Sequence, residues 1–560
     1  MIDRAETWGV LPRYFGFRGD VIETKPEVAE AILAAMGAQR ERPPSVRRHK
    51  LPGGRCAPAP DSAWGWAVQL YADRSRDSWG IGDFADLRRL GRWATSQGAS
   101  VLLISPLGAQ PPGFPQEACP YYASSRRFLN LTYMRIEDVE GAHEAAAELE
   151  GLRAAGRALN SDRLINHDDA YRLKKAALEL IFKAAPEPKG LGGWVRRQGP
   201  ALRDFAVFNA ITERHGHAWR NWPDDLKRRS PEALAGVQRE MSPQVAFHQW
   251  VQFHLDRQLE AASKEISLIA DVPVGFAADG FDAWRWQHLL APHMRVGAPP
   301  DYFFPDGQDW GMPPFDPWKL RKAKYEPFLE TIRSVGRYAA GLRLDHVMGL
   351  FRLFWIPAHA GAADGAYVRY PSHDLVALLA EESRRTNTFI IGEDLGIVEP
   401  SMRTRLRNRG VLSYKLLFFE EQPSSTWPRQ SVAAVGTHDL PTIAGIWNLT
   451  EPDQRQHHLR RHLVEVSRLP DEASAVDVAT AAYGELARSP AQIVLAALED
   501  ALGVNERPNE PGTTTERPNW RLALPPPLEE IEVAGGPRRI ADAMNAGRPR
   551  RPRSRRTMPA

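Results

Sequence analysis

A chain of 560 residues exceeds what a single hydrophobic core ordinarily organises, so a large domain with accessory regions is expected. With 43% hydrophobic and 25% charged residues and a formal net charge of only +3, the composition is that of a globular protein and gives no reason to invoke a nucleic-acid or membrane partner. The two cysteines, Cys56 and Cys119, supply neither a disulfide framework nor a Cys-x-x-Cys metal pair; with no basic-then-apolar leader and no apolar stretch near the roughly 20 residues of a membrane helix, a reducing, cytoplasmic setting is expected.

In chain order, Lys25-Pro26 opens an amphipathic helix with Val28, Ile32, Leu33 and Met36 on one face, and Gly37 closes it, which predicts a helical lobe over residues 1–39. Residues 40–61 are rich in Pro, Arg and Gly and read as a linker. A barrel domain over 62–535 then begins with a strand at 66–71, a helix at 84–96 and a second strand at 100–107. The Ala-rich, charged stretch 140–257 is too long for a loop and predicts an inserted helical subdomain. Strand character returns at Ser267-Leu-Ile-Ala-Asp271. Residues 297–311, dense in Pro, Gly and aromatics, read as a rigid binding loop outside the scaffold. Helix-like stretches follow at 327–338, 373–385 and 400–408, and more from 451 onward, with the ordered part ending near Asn545. Six arginines between Arg548 and Arg556, interleaved with Pro549 and Pro552, are too polar to bury themselves and predict a basic, disordered tail over 546–560.

Three segments run from an apolar strand straight into a carboxylate: Gly341-Leu-Arg-Leu-Asp345-His346, Phe389-Ile-Ile-Gly-Glu393-Asp394 and Val435-Gly-Thr-His438-Asp439. Asp271 adds a fourth acid at a strand end. The three acids recur at intervals of 48 and 46 residues with helix-like sequence between them. That is the pattern of an α/β fold, a parallel (β/α)8 barrel of the TIM type, whose active site is built at the C-terminal strand ends. An acid at the end of a buried strand is unfavourable unless it is paired or does chemistry.

Taken singly, each of these residues is more often structural: an Asp beside an Arg is commonly a salt bridge, and a His beside an acid a satisfied partner. Their coincidence on one rim points to glycosyl chemistry. Cleavage with retained configuration needs two carboxyl groups about 5 Å apart, one ionised to attack and one protonated to release the leaving oxygen. Arg343, two residues before Asp345, is expected to keep that carboxylate ionised and fit for attack, while the longer Glu393 is expected to carry a raised pKa and act as acid and base. Asp439 would bind sugar hydroxyls as charge develops, with His346 and His438 as donors. No phosphate-cradling glycine loop, dinucleotide fingerprint or His-Glu-x-x-His helix is present, and His458, His462 and Glu465 read as a chance surface cluster.

The sequence resembles the 4-α-glucanotransferases called amylomaltases or disproportionating enzymes, a branch of the α-amylase clan. The resemblance runs from about Trp64 to Pro525. It rests on Ser78-Trp-Gly-Ile-Gly-Asp-Phe84, Pro120-Tyr121, Asp271-x-Pro273, Gly297-Ala-Pro-Pro-Asp301, Gly307-Gln-Asp-Trp-Gly311, Arg343-Leu-Asp-His346, Gly392-Glu-Asp-Leu-Gly396, Thr437-His-Asp439 and Pro511-Gly-Thr with Pro518-Asn-Trp520. It implies a (β/α)8 barrel with inserted subdomains and double-displacement transfer of α-1,4-glucan segments between malto-oligosaccharides. It also implies Asp345 as nucleophile, Glu393 as acid/base and Asp439 as transition-state stabiliser. Arg343, His438, Asp271 and Tyr121 match sugar-binding residues, Asp301, Gln308 and Trp310 fall in an acceptor-side loop, and no metal or organic cofactor is implied. The chain departs from the family in three places. The β-sandwich module that often follows the N-terminal lobe is missing between about Arg42 and Asp61. Cys119 stands where Ser commonly precedes Pro-Tyr, and Met312 where Asn often follows Trp-Gly. Two rival readings use the same residues: a hydrolase of the same clan, with water as acceptor, and a non-catalytic glucan-binding barrel.

Overall fold

In a parallel barrel both faces of each strand are covered, so the strands should be short and apolar throughout. The computed structural model, which describes residues 2–17, 19–44, 51–301, 304–396, 398–451, 453–513 and 515–548, contains eight such strands. They are β1 Ala63–Val68, β2 Val101–Ile104, β3 Ser267–Val272, β4 Gly341–Leu344, β5 Phe389–Gly392, β6 Leu412–Leu416, β7 Ser431–Ala434 and β8 Ile493–Ala497. They close in sequence order into one parallel barrel, with β8 paired to β1. Inside lie Val101, Leu103, Ile269, Ile391, Leu412, Val432, Ile493 and Leu495, whereas Trp64, Trp66, Leu102 and Val494 face the surrounding helices. The expected helices at 84–96, 327–338, 373–385 and 400–408 are found at Phe84–Gln97, Glu326–Val335, Ser372–Thr386 and Pro400–Asn408.

Two strand boundaries differ from the sequence reading. The first strand starts at Ala63, whose N–H pairs with the Gln492 carbonyl, and ends at Val68; the rest of the apolar run forms a helical turn, Leu70–Ala72, anchored by the Ser105 hydroxyl accepting from Leu70 N–H. A run of buried side chains looks alike whether the backbone continues as strand or coils. The second strand stops at Ile104 because Pro106 has no N–H to give a neighbouring strand.

The stretch 297–311 is not wholly outside the scaffold, as expected, but partly strand. Met294–Ala298 and Gln308–Met312 pair antiparallel and join Arg352–Pro357 and Ala366–Arg369 in a four-stranded sheet. This sheet, assembled from the segments after β3 and β4, brings Gln308 and Trp310 to the strand-end side of the barrel. The N-terminal segment docks on it: Leu11 N–H donates to the Tyr367 carbonyl, and Trp8 and Trp318 meet edge to face at 6.2 Å. That segment holds helices Ile2–Thr7 and Pro26–Ala35 with a hairpin, Arg13–Phe15 and Val21–Glu23, between them, and Gly37 follows the second helix at φ 64°.

Between β2 and β3 the chain is mostly helical, from Ala146–Ala158 through His167–Ala184 and Pro200–His215 to Ser242–Ser263, the last running into β3. Residues 51–61 lie against the barrel wall, where the Arg384 guanidinium donates to the carbonyls of Gly53 and Arg55, and Cys56 N–H to that of Arg409. At the other end of the chain the first tail arginine is not solvated as expected. Arg548 is buried and donates to the carbonyls of Ala63, Ser489, Ala491 and Gln492, satisfying backbone acceptors at the barrel floor. Residues 549–560 lie outside the described residues.

Candidate active site

The register of β3, β4 and β5 sets the carboxylates side by side. Asp271 lies opposite Arg343 across β3 and β4, and Leu344 opposite Gly392 across β4 and β5, so the next residues of those two strands, Asp345 and Glu393, emerge together at the mouth. Main-chain bonds fix this exit: Asp345 N–H donates to the Val272 carbonyl, Glu393 N–H to that of Leu344, and Val347 N–H to that of Glu393. Gly392 is required because the turn Val347–Leu350 crosses the strand end; a Cβ there would meet the Val347 side chain at 2.9 Å.

Arg343 is buried and its Nη1 is shared. It donates to both oxygens of Asp271, at 2.8 and 2.6 Å, and to Asp345 Oδ1 at 3.2 Å, while its guanidinium lies over the Tyr414 ring at 5.6 Å. The Tyr121 hydroxyl donates to Asp271 Oδ2 at 2.6 Å. Tyr121 also stacks on His438, with ring centroids 4.9 Å apart, and Trp520 leans on both. Asp439 is held from another direction: Asn509 Nδ2 donates to its Oδ1 at 2.6 Å, and Asn509 N–H to the His438 carbonyl.

The electrostatics differ from expectation at Asp345. Burial pushes its carboxyl well above the ordinary carboxylate range, Arg343 opposes, and the charges of Asp271, Glu393 and Asp439 add to the rise. Burial outweighs Arg343, whose closer contacts go to Asp271. Glu393 is raised as expected, by burial first, against the opposing pull of Arg343 and of two main-chain donors, Leu395 N–H at 2.7 Å and His346 N–H at 2.9 Å. Two neighbouring buried carboxyls titrate as a pair rather than singly. Of the two, Asp345 has the direct cation contact and keeps 23% of its side-chain surface open to the mouth, which favours the negative charge on it.

His346 takes φ 44° and ψ 60°, a left-handed conformation uncommon for a residue with a side chain, and this aims its N–H at Glu393. Burial lowers its imidazole pKa to about 4, with Arg352 adding to the fall, so the ring is neutral at ordinary pH. Burial lowers His438 likewise, against the opposing pull of Asp439. Trp310 meets His346 edge to face at 5.4 Å, and its indole N–H donates to Gln308 Oε1. Asp301 instead closes its own turn, its carboxylate accepting from Phe304 N–H.

The structure therefore brings together Asp345, Glu393, Asp439, Arg343, Asp271, Tyr121, His346 and His438, with Trp310 and Gln308 alongside. Sequence reasoning missed Asn509, Trp520 as a ring partner, and Tyr414 beneath Arg343. Trp520 ends the Pro518-Asn-Trp520 string already singled out, though without a role, and Asn509 stands two residues before Pro511-Gly-Thr, which was its only signal. Glu393's neighbour Asp394 is structural, accepting from Tyr414 N–H and from Arg403. Among the described residues no group of three His, Cys, Asp or Glu is placed to hold a metal ion.

A parallel barrel with two adjacent strand-end carboxyls and a third acid across the mouth defines the class of barrel enzymes that act on glycosidic bonds. The family model described as 4-alpha-glucanotransferase matches residues 68–528. A 4-alpha-glucanotransferase of Mycobacterium tuberculosis is 36% identical over 549 aligned residues, covering 86% of this chain and 75% of that protein. One from Haemophilus influenzae is 31% identical, covering 84% and 76%. The crystal structure of amylomaltase from Corynebacterium glutamicum superposes with a TM-score of 0.83 at 26% identity, covering 97% of this chain and 99% of that one. The chain belongs to the 4-alpha-glucanotransferase family, whose members transfer α-1,4-glucan segments with retained configuration.

Proposed function

We propose that Asp345, Glu393 and Asp439 divide the chemistry of this transfer as nucleophile, acid/base and transition-state stabiliser. The observation that supports this is the emergence of Asp345 and Glu393 side by side from adjacent strands, with one arginine contact between them and it falling on Asp345. In the first step an Asp345 oxygen bonds to the anomeric carbon, the glycosidic C–O bond breaks, and the proton on Glu393 passes to the departing O4. In the second, the 4-OH of an acceptor glucose or malto-oligosaccharide gives its proton to Glu393 and displaces Asp345, restoring both carboxyls.

A protonated carboxyl oxygen keeps a lone pair, so Glu393 can accept from Leu395 and His346 N–H while its own O–H is directed at the departing O4. Arg343, Asp271 and Tyr121 form a rigid buried floor that fixes the attacking oxygen, and His438 and Asp439 present a donor and an acceptor to ring hydroxyls. Trp310 and Gln308 line the acceptor side, where an aromatic face suits a sugar ring and excludes water. Family membership supports malto-oligosaccharides as substrates, and the free thiols Cys56 and Cys119 fit a reducing, cytoplasmic setting; no helix among the described residues is long and apolar enough to cross a membrane. The test is Asp345→Asn, nearly isosteric but with a poor nucleophile in place of the carboxylate: transfer should fall by about four orders of magnitude or more with an unchanged fold. A folded mutant with ordinary activity would refute the assignment.

A further inference from the structure

Behind the reacting carboxylates, where the barrel's first and last strands meet, lies a group of oxygens that the glycosyl chemistry does not use. Ala67 of β1 pairs with Ala497 of β8, so Gln69 and Glu499, each two residues further on, leave the barrel seam side by side. The turn Leu70–Ala72 then places Asp73 close by. Asp73 is 1% exposed, and among the described residues neither of its carboxylate oxygens has a hydrogen-bond partner. Gln69 is 9% exposed and its Oε1 is likewise unpartnered. Gln69 and Glu499 line one cavity of about 60 Å³, which also reaches Arg343 and His438.

The surrounding groups are committed elsewhere. Asp500 accepts from Ile443 N–H and the Tyr483 hydroxyl, Asp86 from Ser75, Ser78 and Arg135, and Arg74 donates to the carbonyls of Gly80, Leu159 and Asn160. Asp73 is left with burial and the charges of Glu499 and Asp86 raising its pKa, and Glu499 is pushed up to about 7 by burial and by Asp500. The Glu499 carboxylate accepts from its own main-chain N–H, but both oxygens of Asp73, which feels its charge, and the amide oxygen of Gln69 beside it have no donor among the described residues; buried oxygens in that state are an arrangement that a cation resolves and a bare interior does not.

We propose that Asp73, Glu499 and Gln69 Oε1 bind a single hard cation that clamps the ends of β1 and β8. An all-oxygen donor set with no nitrogen or sulfur selects calcium, magnesium or sodium chemistry over zinc or copper, and two carboxylates balance a divalent charge. The clamp sits below Tyr71 and Trp520, so it stabilises the wall on which the Tyr121–His438 stack rests.

The full-length protein, stripped with EDTA and dialysed into tetramethylammonium buffer at pH 8, would be titrated with calcium, magnesium or sodium chloride at constant ionic strength. Thermal midpoint and bound stoichiometry would be read for the unaltered protein, D73N and E499Q. One of the three ions should bind saturably at one per chain and raise the midpoint by several degrees, and both variants should lose that rise. Without added cation, E499Q should melt no lower than the unaltered protein, because it lacks one unneutralised buried charge. The proposal is overturned if none of the ions moves the unaltered protein, or if the rise survives in both variants. Should D73N fail to fold, E499Q alone decides between these outcomes.

Discussion

Asp271→Asn isolates the competition for Arg343. One nitrogen of that guanidinium contacts Asp271 at 2.6 Å and Asp345 at 3.2 Å, which places the two carboxylates within about 6 Å of each other. At that separation two like charges repel by roughly 1.4 to 3 kcal/mol for an effective dielectric of about 20 to 40, equivalent to about one to two pH units on Asp345. The amide keeps an oxygen for Arg343 and for Tyr121 but carries no charge, so Asp345 gains the arginine and loses a repelling neighbour. As the proposed nucleophile Asp345 must be ionised to attack, so that its protonation as pH falls would produce the acid limb of kcat/KM. That limb should therefore move to lower pH by about one to two units in the mutant. The assay is the pH profile of maltotriose disproportionation, with circular dichroism at each pH to confirm folding. An acid limb that stays put, or moves to higher pH, would refute the claim that Asp271 and Asp345 share Arg343's charge.

Three further outcomes follow from named contacts. As the proposed acid Glu393 must be protonated to donate, and burial raises its pKa, so activity should be lost as pH rises through a value above the ordinary carboxylate range; E393Q should abolish turnover of maltotriose yet spare release of fluoride from α-glucosyl fluoride, whose leaving group needs little protonation. Asn509→Ala removes a 2.6 Å bond to Asp439, worth about 1.5–3 kcal/mol for a charged acceptor, and should lower kcat by about 10- to 150-fold with little change in thermal midpoint. Arg548→Ala removes a buried donor from the carbonyls of Ala63, Ser489 and Ala491 and a second donor from that of Gln492, and should destabilise the fold by about 2 kcal/mol or more, lowering the unfolding midpoint in urea while kcat at 25 °C is unchanged.

The barrel was legible because its evidence is local. A buried parallel strand must be continuously apolar, and an acid directly after such a run stands out, so Asp271, Asp345 and Glu393 could be placed on one rim before any coordinates. Asp439 was legible from the same apolar run, although the strand ends at Ala434 and Val435-Gly-Thr-His438 carry the chain on to it. What escaped depends on contacts between distant segments. Asn509 reaches Asp439 across 70 residues, and its place two residues before Pro511-Gly-Thr does not say which acid it meets. The four-stranded sheet draws its strands from two separate excursions, and residues 297–311, read for their Pro and Gly content, conceal the short strands that pair there. Arg548 misled for a related reason: composition marks an arginine-rich tail as solvated, but one guanidinium with five donors can bury itself where several strand-end carbonyls converge. The expectation for Asp345 failed because sequence showed Arg343 two residues away but not how deeply the carboxyl would be buried, nor that Asp271 would add its charge and take the arginine's closer contacts.

The most direct test is to incubate the purified protein with maltotriose, without added cofactor, and to follow free glucose and longer oligomers by chromatography. Glucose accompanied by a ladder of oligomers longer than the substrate is the predicted result. Glucose and maltose without longer chains would make water the acceptor, and no change in the substrate at all would contradict a catalytic role for the three strand-end acids.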